Sequence, residues 1–452
     1  MFIGREKELG LLKDQLLSNK TSIVLIYGKK RMGKSSLITE ASKDFDGTVI
    51  NHLCVKSTYE GNLQHLYKSV SIMFGREEES FNSLNDMFDY LKAQEKNILL
   101  ILDEYEYFKD SRKKDEVDAI FSNIISTLPA NIKIILCGSY IPSMTELLNE
   151  KSSLYGSFTL TLRIDELDYL DASQFYPQLS LRDKIRFYSV FGGSPYVLSN
   201  LDYSKTLDEN ILNLLLDQNS ILRTYIENVV LNEIQKNFDI RILEILSSSK
   251  KRYKEILNSL CMTDTGLLDK QLKNLINMET IEKTFPINKK NDKKKQFYEI
   301  KENLMMFYFT FIFGNDPLIS KFGKTTFYVN KIRENLDNFI QNRLCVIVRQ
   351  FFTRQLKKGS LSHIEDIGYY WYEGREDDLS FATVVKQNDK YDFCVTLYRD
   401  DKVKFDECEK IANELLSLKG LECNSIGFIT SSLFSFRTDK YPLLTAKDIY
   451  SI

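Results

Sequence analysis

The sequence predicts an α/β fold whose first third is a doubly wound parallel sheet, and the prediction rests on three observations. From Thr21 to about Asp171, apolar strand-like stretches alternate with helical ones, which requires right-handed crossovers between parallel strands. A glycine-rich loop stands directly between the first of those strands, SIVLIY, and a helical stretch. At 452 residues the chain also exceeds the size at which one hydrophobic core stops growing, so two or three packed domains are expected.

Taken in order, SIVLIY is followed by the glycine loop and a helix, then by strand TVINHLCV, a helical stretch, strand NILLILD, another helix and strand IKIILCGS. Short apolar runs bounded by turn residues read as strands covered on both faces. Between about Asp171 and Asn237 the pattern turns helical, and FYSVFGGSPYVLSNL supplies a Gly-Gly-x-Pro break, the outline of a helical lid. From Asp239 three helices (IRILEILSS, YKEILNSLC and TGLLDKQLKNLINM) precede two β-type stretches around ETIEKTFPI and KKQFYEI. That order outlines a winged helix-turn-helix. From about Phe322 the pattern is mixed α+β: helix RENLDNFIQNRLCVIVRQFFTRQL, strand-like GYYWYE, LSFATVVK and YDFCVTLYRD, a helix, and strand SIGFITSS. The expected domains are 1–171 for the α/β domain, 172–237 for the lid, 238–315 for the winged helix and 322–452 for the α+β region.

Composition excludes several classes. Apolar residues make up 43% and charged residues 27%, as in an ordinary globular protein, and a net charge of -2 gives no global attraction to nucleic acid or acidic membranes. The seven cysteines (Cys54, Cys137, Cys261, Cys345, Cys394, Cys408 and Cys423) never form a C-x-x-C pair, which argues against a disulfide framework or a zinc site and suits a reducing cytoplasm. The start lacks the apolar stretch of a secretory signal, and the longest apolar run, Leu304 to Phe313, is about half a membrane span, so a buried helix and no membrane segment are expected. The histidines (His52, His65 and His363) are too dispersed for a metal site, and His52, in a strand, reads as a satisfied core residue.

The chemistry lies in the α/β region. GKKRMGKS, Gly28 to Ser35, matches G-x-x-x-x-G-K-S in the strand-to-helix context that a phosphate-binding loop requires. Gly28, Lys29, Lys30, Arg31, Met32, Gly33, Lys34, Ser35 and Ser36 would wrap the phosphates of a nucleoside triphosphate, expected to be ATP. Lys34 would reach the terminal phosphates and Ser35 would ligate Mg²⁺. NILLILDEYEYF then places Asp103 and Glu104 at the carboxyl end of a strand, where ligands of open α/β sheets sit. Asp103 would hold the Mg²⁺ through its water shell, and Glu104 would orient and polarise the attacking water, which predicts hydrolysis. IKIILCGSY ends in Ser139, placed to meet the γ-phosphate or the water, with a plain strand-ending turn as the alternative.

On these residues the sequence resembles prokaryotic ATPases of the STAND class within the AAA+ superfamily, specifically archaeal-type ATPases with a C-terminal DUF234 domain. The opening FIGREKELGLL is similar to the family's N-terminal box, which implies that Phe2, Ile3, Gly4 and Arg5 lie near the adenine. FGGSPYVL is similar to its G-G-x-P lid motif, which implies a nucleotide contact from Pro195. Relatives carry a stretch like S-P-L-Y-G-R, whereas this chain has Ser153 and Ser157 in place of the Pro and Arg, so slow turnover, or dependence on Arg163 or a partner, is implied. The family's last region looks like a restriction-endonuclease fold. Here the acids Glu376, Asp377 and Asp378 have no E-x-K after them, and Asp392 is followed two residues on by Cys394, so an inactive nuclease-like domain is expected.

Lys283, Lys289, Lys290, Lys293, Lys294 and Lys295 surround the expected wing, and Lys270 and Lys273 lie on the expected recognition helix. Weakly specific DNA contact is one reading of them, and a solvated hairpin tip is the other. The leading expectation is an ATP-controlled regulatory switch with a protein partner; the alternative is an ATP-regulated DNA-binding or DNA-processing protein.

Overall fold

A computed structural model of the chain describes residues 2–75, 81–111, 114–231, 238–263, 265–290, 292–359, 364–372 and 382–451. They fall into two compact units, the first running to Glu166 and including Ser194–Tyr196, the second made of Leu167–Gly193 and Val197 onward.

The first unit is built on five parallel strands, β1 (Ser22–Tyr27), β2 (Thr48–Leu53), β3 (Ile98–Asp103), β4 (Ile132–Gly138) and β5 (Leu160–Arg163), in the order β2-β3-β4-β1-β5. Side chains alternate across the sheet. Ile23, Leu25, Leu100, Leu102, Ile134 and Leu136 face one core, while Val24, Ile26, Leu99, Ile101, Ile135 and Cys137 face the other. The second core is covered by α1 (Glu6–Leu17) and α2 (Lys34–Ser42) through Leu12, Leu16, Leu37 and Ile38. The first is covered by α3 (Tyr59–Met73), α4 (Leu84–Lys92), α5 (Tyr105–Lys109), α6 (Lys114–Ser126) and α7 (Ile141–Glu146). Sandwiching between two helical layers is why β1 and β3 read as nearly unbroken apolar runs. The sequence reading missed β5, whose residues Leu160–Arg163 alternate Leu with Thr and Arg at the sheet's edge. His52 is buried as expected but only half satisfied: Nδ1 lies 3.1 Å from Ser69 Oγ and Nε2 has no hydrogen-bond partner.

In the second unit, helices Arg241–Ser248, Tyr253–Ser259 and Thr265–Asn277 precede an antiparallel hairpin, β6 (Ile281–Thr284) with β7 (Phe297–Ile300). The apolar run contributes helix Asn303–Phe311, largely buried. A mixed sheet follows, β8 (Ile364–Gly368), β9 (Ala382–Gln387), β10 (Lys390–Leu397), β11 (Ser425–Thr430) and β12 (Leu443–Thr445), in the order β12-β11-β10-β9-β8. Helix Glu334–Lys357 anchors the unit: buried Arg343 donates to Asn303 Oδ1 at 2.7 Å, and Arg354 pairs with Asp168 at 2.6 Å and Asp171 at 3.0 Å.

The expected strand GYYWYE is displaced: β8 ends at Gly368. Tyr369 and Trp371 turn their backbones toward the hairpin segment instead, where Tyr369 O accepts from Ile287 N at 3.0 Å and Trp371 exchanges two bonds of 2.9 Å with the Asn288 side chain.

Candidate nucleotide site

The phosphate loop begins where β1 stops. Gly28 has φ 155°, and a Cβ there would lie 2.0 Å from the Ile164 carbonyl oxygen, so only glycine lets the loop pass the end of β5. The loop closes at Gly33, which caps α2, and the backbone at Arg31 also lies in the left-handed region.

Lys34 is 5% exposed, and its ammonium donates to Gly28 O at 2.8 Å, Lys29 O at 2.9 Å and Ser139 Oγ at 3.0 Å. All three of its protons are thereby directed. Ser139 Oγ in turn donates to Glu104 Oε1 at 2.7 Å. Ser35 Oγ donates to Asp103 Oδ2 at 2.9 Å, and Asp103 Oδ1 accepts from Glu104 N at 3.0 Å. Glu104 sits at φ 53°, a conformation non-glycine residues adopt at a cost of roughly 1 kcal/mol. Its Oε2 is buried, and its carboxyl shares a side-chain hydrogen bond with that of Glu106. The structure therefore brings Lys34, Ser35, Asp103, Glu104 and Ser139 into one hydrogen-bonded group.

The N-terminal box lies behind the loop. Phe2 packs on the α1–α2 core and Ile3 is half-buried. Gly4 and Arg5 both have left-handed backbones, and Arg5 caps α1. The buried Arg5 guanidinium donates to Met32 O at 3.0 Å and to Asp165 O, so it braces the loop against the segment after β5. Lys30, Ser35 and Ser36 are exposed, Lys29 is half-buried, and Met32 is buried in the core. The Pro195 ring lies 3.6 Å from the position a Cβ on Gly33 would take, and the Arg31 guanidinium lies 4.3 Å from the centroid of the Tyr196 ring. Sequence reasoning did not single out Tyr196. Arg163, the residue considered as a substitute for the missing arginine, pairs with Asp165 at 3.1 Å.

It also missed Glu106, a buried carboxylate on α5 whose Oε1 accepts the backbone N–H groups of Ser139 and Tyr140, each at 2.9 Å. Burial, and after it the charge of Glu104, pushes its pKa up to about 7. The signal was present: Glu106 stands between Tyr105 and Phe108, both buried, so the helix that buries those rings carries the carboxylate inward with them.

In the second unit, the cluster Glu376 to Asp378 lies outside the described residues. Among the described residues no three His, Cys, Asp or Glu side chains group to hold a metal. Asp392 Oδ1 accepts from Asn424 Nδ2 at 2.7 Å and Ser425 Oγ at 2.5 Å. The basic hairpin is partly committed to protein: Lys290 pairs with Asp366 at 2.8 Å, and Lys295 lies 4.9 Å from the Trp371 ring centroid. Lys270, Lys273, Lys289, Lys293 and Lys294 are exposed. Among the described residues no helix is long and apolar enough to cross a membrane.

Residues 2–201 match a family of ATPase domains found predominantly in Archaea, and residues 308–411 match DUF234, a family of archaeal and bacterial proteins of unknown function. An uncharacterized protein of Methanocaldococcus jannaschii is 28% identical over 397 residues, covering 86% of this chain and 85% of that protein. Among solved structures, a Walker-type ATPase of Pyrococcus abyssi covers 68% of this chain and 96% of its own, at 17% identity and a TM-score of 0.49. The ORC2 protein of Aeropyrum pernix, in ADPNP and ADP complexes, covers 75% and 94% at 12% identity and a TM-score of 0.45. A STAND protein with a tetratricopeptide repeat sensor from Pyrococcus horikoshii covers 79% of this chain and 51% of its own, at 14% identity and a TM-score of 0.31. The chain thus carries an ATPase domain of the predominantly archaeal family at residues 2–201 and a DUF234 segment at residues 308–411.

Proposed function

We propose that this protein binds ATP with Mg²⁺, hydrolyses it slowly, and acts as a nucleotide-controlled switch of the STAND kind. The observation that carries the reading is the hydrogen-bonded run from Lys34 through Ser139 to Glu104, beside the Ser35 and Asp103 pair. Lys34 now gives all its protons to protein acceptors, so an entering phosphate must displace some of them, and Ser139 registers the exchange directly.

The residues present fit Mg²⁺. Ser35 Oγ and Asp103 Oδ2, 2.9 Å apart, are hard oxygen donors, and a phosphate-bound Mg²⁺ uses one or two protein oxygens. The cation would offset the charge on the phosphates. Glu104 would accept a proton from the attacking water while Ser139 holds its carboxylate in place. In this reading Pro195 contacts the nucleotide, residues 238–315 form a winged helix that serves as a packing module, and the nuclease-like domain is inactive. The alternative, an ATP-regulated DNA-binding protein, is less supported because Lys290 and Lys295 are turned to protein partners.

The test is Glu104→Gln, which keeps size and hydrogen bonding but removes the base. It should hold ATP as tightly as the parent and lose turnover, and as an ATP-locked form it should capture a different set of proteins from the apo chain. Equal turnover in the two proteins overturns the assignment.

A further inference from the structure

Glu106 has no part in the reading above, yet it is built into the site. It is 4% exposed, and one oxygen satisfies two consecutive amides, Ser139 N and Tyr140 N, just past the end of β4. Room for it is made by glycine: a Cβ on Gly138 would lie 2.4 Å from Glu106 Oε2 and 2.4 Å from Met144 Sδ. The far end of the same helix makes a second attachment, with Lys109 Nζ donating to Glu146 Oε2 at 3.0 Å, at the last residue of α7. Helix α5 thus grips the segment from Ser139 to Glu146 at both ends. Ser139 itself is held twice by the acidic segment, its hydroxyl by Glu104 and its amide by Glu106.

We propose that Glu106 is a positioning residue for ATP hydrolysis, fixing the backbone of Ser139 so that its hydroxyl stays within hydrogen-bond reach of both Lys34 and Glu104. The inference rests on the hydrolytic reading of the site. Glu106 acts through Ser139, and its carboxyl also lies beside that of Glu104. The geometry requires one acceptor aimed at two donors: without Oε1 the Ser139 and Tyr140 amides lose the partner they share, and the loop would turn to satisfy them elsewhere. An Oε1 lone pair accepts these amides whether or not the carboxyl carries a proton on Oε2.

The experiment uses the full chain and two kinds of variant. Glu106→Gln keeps a carbonyl acceptor, whereas Glu106→Met keeps the volume without it, and Glu106→Ala replaces Glu106→Met if the latter does not fold. Steady-state turnover, ATP affinity and amide exchange at Ser139 and Tyr140 are measured on each. Glu106→Met should lower kcat by roughly tenfold to a hundredfold, the scale on which small misplacements act, while KM and ATP affinity stay within about twofold. Exchange at the two amides should accelerate, and Glu106→Gln should restore both rate and protection. A Met variant with parental kcat, or a Gln variant as slow as the Met variant, overturns the proposal. If the parent binds ATP but never turns it over, the hydrolytic reading fails by itself. The exchange data then decide the positioning role: unchanged exchange in the Met variant sinks it, and acceleration reversed by Gln sustains it.

Discussion

The ammonium of Lys34 and the hydroxyl of Ser139, 105 residues apart in the chain, lie 3.0 Å from one another. Parallel pairing of β1 with β4 sets Tyr27 beside Gly138, so the residues that follow each strand emerge together at the sheet's carboxyl edge. Lys34→Ala therefore removes both the cation for the phosphates and the donor to Ser139. ATP affinity should fall by about 100-fold or more, equivalent to ~3 kcal/mol of charge-assisted hydrogen bonding. Equilibrium binding of a fluorescent ATP analogue measures it, and parental affinity in the variant would refute the site.

Lys109 is 2% exposed, bonded to Glu146 at 3.0 Å and 4.0 Å from Asp118, which is itself buried. Burial already pushes the Asp118 pKa up to about 6, with Lys109 opposing the rise. Lys109→Met strands that carboxylate and should destabilise the first unit by about 3 kcal/mol, as breaking buried pairs does. Adding Asp118→Asn should recover part of the loss. Urea unfolding of the single and double variants checks this; no recovery in the double variant would remove the buried charge as the cause.

Burial, and after it the charge of His65, holds the His52 pKa near 4, below its ordinary 6.5. Between those values the unfolded chain binds the extra proton. The stability that neutral His52 contributes is complete above pH 6.5 and is lost as pH falls toward 4, by at most about 1.4 kcal/mol per unit. The parent's urea midpoint, compared with that of His52→Gln, should show a smaller advantage near pH 5 than near pH 7. An advantage that does not change with pH would refute the prediction.

The described residues of the C-terminal sheet offer Asp392 bonded to Asn424 and Ser425, and Lys386 paired with Glu365 at 2.8 Å and Asp389 at 2.7 Å. These groups are committed to one another. No cleavage of plasmid or oligonucleotides is expected with Mg²⁺ or Mn²⁺, with or without ATP. Cleavage by the parent that disappears in an Asp377→Ala/Asp378→Ala variant would contradict this and favour the DNA-processing reading. Binding to a generic duplex should be weak, and a steep salt dependence would point the same way.

The strand segments and the phosphate loop were legible in the sequence, because both are local in the chain. A strand buried on two faces must be apolar throughout, and a loop that wraps phosphate needs Gly28, Gly33 and Lys34 at fixed spacing. Asp103 and Glu104 were legible for the same reason, at the end of an apolar strand. Contacts between residues far apart in the chain arise only on folding. Arg5 spends its guanidinium on the carbonyls of Met32 and Asp165, and Tyr196 lies under Arg31. Glu106 reaches across to the amides of Ser139 and Tyr140. The strand-like GYYWYE gives up its pairing to the hairpin because Asn288 satisfies the Trp371 backbone. Periodicity records which face of an element is buried; which distant donor finds which acceptor is set by the register and packing of the folded chain.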